Sequence, residues 1–522
     1  METTLPAFSV QWLSGWGPKL RDRCKAALDS EGLPGSWLPA SFSSRSPLRV
    51  GTDCSGVESP LHALQALGFN VRHKFSSEAA QGPRQFILAN TPPGVMYDDV
   101  LRSAVQDAPF VDVYVAGFSC KPFSKLHNKT TLLREPEAAI FYACLDRITS
   151  VSPPAFVLEN VEGISRCMTE VMELLRGVGA GYNVTTCLLN PVQIGEPVHR
   201  PRYYFIGTRR DVALVPEEKA QLVYNNVWWK LQQGRPSVSL AQRMLPADHP
   251  KVVAHQLYRQ QRWQSARADG YPDRRGQAKW KLAHAKWEES QCLIASPAML
   301  SSDQMLLHLP RERDVWAKLV ARTRTTGARL VADVSQSLGR NPARTDGTLP
   351  TITPGGHVLV EDAQRSLVPV EKLLIHALPL HLLKLPSCLS DKDIEKMGGN
   401  MMHLQTVAVA MMLALSFVDW SMSAARAAPP ARSMPAARAA LGAPAAQAAL
   451  ALAQRQQSKR VEALLYKRYG YPCHGNRKPR GVPKAAKRST KVRGKGKTRG
   501  AQNSKLPKHV VCLRGTRWAN AT

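Results

Sequence analysis

The chain has 522 residues, room for two to four domains at roughly 100–200 residues each. Apolar residues make up 44% and charged residues 21%, a balance that builds packed cores and excludes a chain disordered throughout. Lys and Arg number 70 against 40 Asp and Glu, and the net +30 calls for a polyanionic partner, either nucleic acid or an anionic membrane surface. Most of that charge is local. Residues 421–522 hold 23 Lys or Arg and one acid, Glu462, so a polycationic tail carrying +22 follows a mildly basic body.

The ten cysteines include no CxxC pair and no close Cys/His cluster. Neither a metal site nor a disulfide scaffold is expected, and a reducing compartment is. Met1–Arg49 lacks a basic start followed by an apolar core, and the longest apolar stretch, Thr406–Val418, is too short to span a bilayer. A soluble intracellular monomer follows, nuclear if its source is eukaryotic.

Residues 1–47 read as a weakly structured leader, with Trp12, Trp16 and Trp37 as its candidates for packing. From 48 to 210 strands and helices alternate. Strands are expected at Leu48–Asp53, Val71–Phe75, Val111–Val115, Ala155–Leu158, Tyr182–Leu189 and Tyr203–Gly207. Helices are expected at Pro60–Leu67, Glu137–Ile148 and Ile164–Leu175. Such alternation with short links predicts an α/β fold, a doubly wound Rossmann-like sheet. Residues 211–340 contain six of the 11 Trp among many Arg and Lys. Aromatics interleaved with cations suit nucleic acid, through stacking and phosphate contacts; a Trp-rich core under a basic face is the competing reading. Residues 341–420 return to order, with helices at Val368–Leu383 and Gln405–Leu415 and Gly398-Gly399-Asn400 before the second. Residues 421–522 turn Ala/Pro-rich, with a helix around Ala445–Tyr466, and then Lys/Arg-rich, a composition that cannot build a core.

Ligands of doubly wound sheets bind beyond the carboxyl ends of the strands. Asp53, Glu78, Cys120 and Glu159 all follow predicted strand ends, which argues for one shared site. The turn Asp53-Cys54-Ser55-Gly56, with Glu78 closing the next strand, is a nucleoside-binding arrangement in which the acid takes ribose hydroxyls; it lacks the GxGxxG spacing of dinucleotide sites. Cys120 lies in a shaped loop, Gly117-Phe118-Ser119-Cys120-Lys121-Pro122, near a cation that favours its thiolate. Glu159 follows four apolar strand residues, where burial raises a carboxyl pKa and suits acid catalysis; a helix-capping carboxylate is the alternative.

Taken together, these segments resemble the DNA (cytosine-5)-methyltransferases over about Leu48–Arg210 and Leu349–Leu415. Asp53-Cys54-Ser55-Gly56 looks like the first cofactor motif, Glu78 like the ribose acid, and Asp99-Val100 like the adenine-reading segment. Gly117 through Ser124 resembles the nucleophile motif, and Glu159-Asn160-Val161 the Glu-Asn-Val motif. Gly195 through Arg202 resembles the segment supplying two arginines, Arg200 and Arg202, to a flipped-cytosine pocket. Gly399-Asn400-Met401 looks like the last motif, whose helix returns to the cofactor site. The resemblance implies S-adenosyl-L-methionine as cofactor, double-stranded DNA as partner and residues 211–340 as target-recognition region. It further implies Cys120 attack on cytosine C6, with Glu159 and Arg202 stabilising the ring and Arg200 holding DNA backbone or pocket wall. The chain departs from the pattern at Cys54, Glu58, Ala79, Ser119 and Val198. Two rivals therefore stand beside the enzyme reading: a weakly active or inactive DNA-binding protein of the same fold, and an RNA methyltransferase, whose Cys-Phe-Thr signature is missing here. In the tail, Arg477–Lys484 resembles an AT-hook without its second core arginine, which leaves non-specific phosphate binding.

Overall fold

A computed structural model of the chain describes residues 7–33, 46–103, 107–124, 132–268, 277–291, 309–323 and 329–422. The basic tail beyond 422, with its AT-hook-like segment and the helix expected at Ala445–Tyr466, lies outside the described residues, as does Trp37.

Seven strands form the main sheet: β1 Leu48–Asp53, β2 Val71–Ser77, β3 Val95–Tyr97, β4 Val113–Ala116, β5 Ala155–Val161, β6 Tyr182–Leu189 and β7 Arg202–Arg209. Their order is β3-β2-β1-β4-β5-β7-β6. The first five run parallel, while β7 inserts antiparallel between β5 and β6. The order reverses between β1 and β4, so the carboxyl ends of these two strands flank the crevice where doubly wound sheets bind ligands. The doubly wound expectation holds. The short β3 and the helix before it, Gln81–Asn90, escape sequence reading because only Phe86 and Ile87 of that helix are buried.

Both sheet faces are covered, as parallel sheets require. One face packs against α4 (Ala139–Val151) and α5 (Met168–Gly177). The other is covered by α1 (Ala7–Asp29), α2 (Ser59–Ala66), α6 (Glu217–Gln232) and α12 (Leu404–Ser416). Every residue of α12 is buried, so the longest apolar stretch is a core helix. Among the described residues no helix is long and apolar enough to cross a membrane.

The leader expectation is overturned. Trp16, Leu20, Cys24, Ala27 and Leu28 recur at helical spacing and are all buried against the sheet-covering helices. Gly17 closes the contact: a Cβ there would lie 2.0 Å from the carbonyl oxygen of Ala66. Arg23 donates to the carbonyls of Leu231 and Gln233, and Glu31 accepts from Asn226 (2.8 Å) and Lys230 (2.6 Å), tying α1 to α6. Trp16→Ala is expected to cost about 3–5 kcal/mol in denaturant unfolding, as for buried aromatics elsewhere. A loss below about 1 kcal/mol would mean α1 is an appendage.

Elements on either side of residues 210 and 340 pack together. Helix α6 packs on the main sheet through Val223, Tyr224, Val227 and Trp228, so the first body continues past Arg210. A second, four-stranded sheet, β8 Val331–Asp333, β9 Ala343–Arg344, β10 Val358–Val360 and β11 Arg365–Ser366, straddles residue 340 in the order β11-β10-β8-β9. It packs on the helix Pro310–Thr323 through Val315, Trp316 and Leu319. Trp228 and Trp316 are thus core residues, and Trp287 packs against the second core; Trp229, 60% exposed, is the one that faces solvent among these three pairs' neighbours.

Candidate active site

The parallel pairing of β4 with β5 sets Ala116 beside Leu158. Cys120 follows four residues beyond Ala116, and Glu159 one beyond Leu158, so both emerge at the same sheet edge. The antiparallel pairing of β5 with β7 then places Arg202 opposite Val161, two residues from Glu159. Arg202 Nε lies 3.0 Å from Glu159 Oε1. Sequence spacing does not show this contact, since 43 residues separate the two; the antiparallel strand makes it.

Glu159 is 8% exposed. Burial pushes its carboxyl up from the ordinary range, while Arg202 and then Arg200 oppose the shift. Cys120 is exposed at the loop surface. Desolvation by the packed atoms around its sulfur pushes the thiol up, Arg202 pulls it down, Glu159 pushes it up and Arg200 pulls it down. The two arginines oppose the rise and so favour the thiolate, while negative charge on Glu159 disfavours it.

The loop carrying Cys120 is fastened at both ends. Asn160 Nδ2 donates to the Phe118 carbonyl (3.0 Å), and Arg166 Nη2 donates to the Phe123 carbonyl (2.9 Å). The Cys120 carbonyl accepts from the amides of Phe123 (3.1 Å) and Ser124 (2.9 Å). Asn160 was legible only as a neighbour of Glu159, and Arg166 gave no sequence signal.

Arg200 does not reach outward. It is 3% exposed and donates to the carbonyls of Ile352 (3.2 Å), Gly399 (3.1 Å) and Met401 (2.8 Å). Of its two expected uses, DNA backbone or pocket wall, the structure leaves the wall: Arg200 clamps the returning segment to the arginine segment. The helix α11, Asp391–Asn400, ends there. Gly398-Gly399-Asn400 forms its last turn, and a Cβ on Gly399 would lie 2.3 Å from Pro354 N, which only glycine avoids. Behind Arg200, Glu196 accepts from Arg243 (2.6 Å) and Gln405, with His403 Nε2 at 3.7 Å. Val198 bridges to Leu349 within a small apolar core, so the residue standing in place of a polar one is packed rather than exposed.

The expected cofactor residues gather at the ends of β1, β2 and β4. Cys54 and Gly56 both hold left-handed backbone, with φ of 52° and 60°. Gly56 N–H donates to Glu78 Oε2 (2.9 Å), and Ala80 N–H donates to Glu78 Oε1 (2.8 Å), fixing the carboxylate while leaving lone pairs on both oxygens. A Cβ on Gly56 would meet nothing within 4 Å, so open space lies before the turn. A Cβ on Gly117 would lie 2.9 Å from Met402 Cε, 3.5 Å from Glu159 Oε2 and 3.8 Å from the Cys54 carbonyl oxygen. The turn, the acid and the returning segment therefore converge around a glycine. Asp99 Oδ1 accepts from the Leu101 amide (3.0 Å), and Val100 is buried beside it. Met401 is buried and Asn400 exposed. Asp53 alone turns away: its Oδ2 accepts from Tyr114 (2.9 Å) and Arg147 Nε (3.2 Å), and its side chain is fully buried. Only its backbone can belong to the site.

A cavity of about 1110 Å³ between residues 192–197, 232–247 and the second sheet has neither Cys120, Glu159 nor Arg202 in its lining, and so is not this site. No group of three His, Cys, Asp or Glu that would hold a metal ion occurs among the described residues.

Known proteins share these features. The type II methyltransferase M.NgoBV of Neisseria gonorrhoeae is 30% identical over 146 residues, 26% of this chain and 34% of its own length. The DNA (cytosine-5-)-methyltransferase DMT5 of Cryptococcus neoformans is 27% identical over 201 residues, 34% of this chain and 8% of its own. The chain thus spans about a third, or less, of the curated relatives' lengths. Among solved structures, the Dnmt2 methyltransferase of S. pombe aligns over 70% of this chain and 98% of its own, with 14% identity and a TM-score of 0.43. The family described as C-5 cytosine-specific DNA methylase matches residues 54–399, two thirds of the sequence, with Cys120, Glu159 and Arg202 inside the matched span; the chain belongs to that family.

Proposed function

We propose that the protein is a DNA cytosine-5 methyltransferase that uses S-adenosyl-L-methionine. The observation that carries this reading is the triad of side chains at one sheet edge: exposed Cys120, and buried Glu159 held 3.0 Å from Arg202. A thiol able to attack, beside a carboxyl whose proton affinity burial raises, suits an electron-poor ring that needs a nucleophile at one carbon and a proton at a ring nitrogen. Cys120 Sγ forms a bond to C6 of cytosine, and Glu159 holds a proton at N3. Arg202 orients Glu159 and faces the ring's O2. Once C5 carries the methyl group that the cofactor would supply, a base takes the C5 proton, the electron pair of that C–H bond re-forms the C5–C6 double bond, and Cys120 leaves as thiolate. The base must leave the helical stack to reach these groups.

The cofactor fits the residues present. Glu78 has lone pairs left for ribose hydroxyls, the 53–56 turn borders open space at Gly56, and Gly117 lies close to Met402 and the Cys54 carbonyl; by the resemblance Asp99 and Val100 would flank the adenine, and Asn400 and Met401 would complete the site. Bound there, S-adenosyl-L-methionine supplies an electrophilic methyl group. Ala79 offers no stacking surface to the adenine.

Duplex DNA is the substrate we favour over tRNA. The second sheet with the helix Pro310–Thr323 has a core of its own beside the main sheet, and the +22 tail of residues 421–522 adds phosphate contacts that read no sequence. Equal amounts of duplex DNA and tRNA, incubated with labelled cofactor and digested to nucleosides, decide between them. The expected result is 5-methyldeoxycytidine, with weaker and less salt-dependent DNA binding by a chain ending at residue 422. Label appearing mainly in tRNA would establish the RNA alternative; no label in either would favour the binding-only one.

A further inference from the structure

Glu58 stands where the cofactor turn is expected to carry its second glycine. It is fully buried and holds left-handed backbone at φ 57°. A non-glycine residue in that conformation costs of order 1–2 kcal/mol and persists only where its surroundings hold it. Here the side chain provides the hold. Glu58 Oε1 accepts from Thr52 Oγ1 (2.8 Å) on β1 and Ser76 Oγ (2.6 Å) on β2. Ser55 Oγ, inside the turn, donates to Thr52 Oγ1 (2.8 Å) and lies 2.9 Å from Ser76 Oγ. The Glu58 amide donates to the Ser55 carbonyl (2.9 Å), closing the turn, and the next amide along from Ser55, that of Gly56, is the one bound to Glu78.

Each hydroxyl has one hydrogen, so a single ordering satisfies the cluster. Ser55 donates to Thr52, and Thr52 and Ser76 both donate to the carboxylate. That ordering exists only with Glu58 as a double acceptor. Without it, Ser76 donates to Ser55 and Thr52 is left with His73 Nε2 (3.4 Å) or the Phe75 carbonyl (3.5 Å), both long contacts, which reorients the serine that precedes Gly56.

We infer that Glu58 is a positioning residue for the cofactor: its buried carboxylate orders the Thr52–Ser55–Ser76 hydroxyls and so aims the 54–58 turn and Glu78 at the nucleoside. This rests on the cofactor reading above. The residue counted as a departure from the glycine pattern is then a substitute for it, in which a side-chain network does what backbone freedom does elsewhere.

Calorimetric titration with S-adenosyl-L-homocysteine tests both. Glu58→Gln keeps an oxygen able to accept both hydroxyls and is expected to bind within about threefold of wild type. Glu58→Gly keeps the backbone conformation, so its thermal midpoint should not fall, yet affinity should drop about tenfold, roughly the worth of one charge-assisted hydrogen bond. In turnover, Glu58→Gly should raise KM for S-adenosyl-L-methionine about tenfold with kcat changing less than twofold. Ser76→Ala, which removes one donor and leaves the carboxylate, should weaken binding a few-fold. Glu58→Gly and Ser76→Ala that both bind like wild type would overturn the inference alone. A wild-type chain that binds no S-adenosyl-L-homocysteine would overturn the cofactor reading, and this inference with it.

Discussion

Cys120→Ser should abolish methyl transfer to DNA while leaving the thermal midpoint and S-adenosyl-L-homocysteine affinity unchanged. The Cys120 sulfur is the exposed thiol beside Glu159 and Arg202, and a serine hydroxyl, far less acidic than a thiol, is not brought within range by Arg202 and Arg200. Its loop should survive the change, because Asn160 and Arg166 hold backbone carbonyls on either side rather than the sulfur. Wild type should also form a denaturation-resistant adduct with duplex DNA containing 5-fluorocytosine, since fluorine at C5 blocks release. Adduct formation by Cys120→Ser would transfer the nucleophile role to another cysteine; Cys54, at the neighbouring turn, is the first to examine.

Glu159→Gln should lower kcat by about 10²-fold or more with little change in DNA affinity, the size expected when a general acid is lost. The amide keeps the volume and an oxygen for Arg202 Nε, so folding should tolerate it. What it cannot do is give a proton to N3. The sign of the pH dependence follows from burial. Glu159 holds its proton to higher pH than an ordinary carboxyl, so the acid-dependent rate should fall as pH rises through that raised value, and Glu159→Gln should lose this descending limb. Near-normal turnover in the variant would reduce Glu159 to a structural partner of Arg202.

The strand ends were readable because the chemistry and the periodicity coincide there. Four apolar residues stop at Leu158 and a carboxylate follows; the same happens where β4 gives way to Gly117 and Cys120. The contacts between these groups were not readable. Arg202 meets Glu159 only because β7 runs antiparallel, and nothing in Tyr203–Gly207 as a run of apolar residues specifies direction. The resemblance left Arg200 to hold either DNA backbone or the pocket wall, because the three carbonyls that hold it are not written in the sequence. Asp53 and Arg147 show the reverse error. An acid at a strand end is expected to face ligand, but a cation 94 residues away draws it into the opposite side of the sheet, where Phe75 and Tyr97 also stack on the guanidinium at 5.2 and 5.0 Å. The leader was misread because Pro18, Ser and Gly dilute its composition; its helical spacing of Trp16, Leu20, Cys24 and Leu28 was the better guide.

Helix α1 and helix α12 share one apolar layer, yet about 375 residues lie between them. During synthesis, the surface that α1 presents through Leu20 and Leu28 has no α12 to meet until residues 404–416 have been made. At roughly 5–20 residues per second, about 375 further residues take on the order of 20–75 s. Helices α2 and α6 join that layer earlier, but the loop that the docking of α12 closes is nearly as long as the body of the protein, with the entropic cost and slow kinetics that sequence-distant pairing carries.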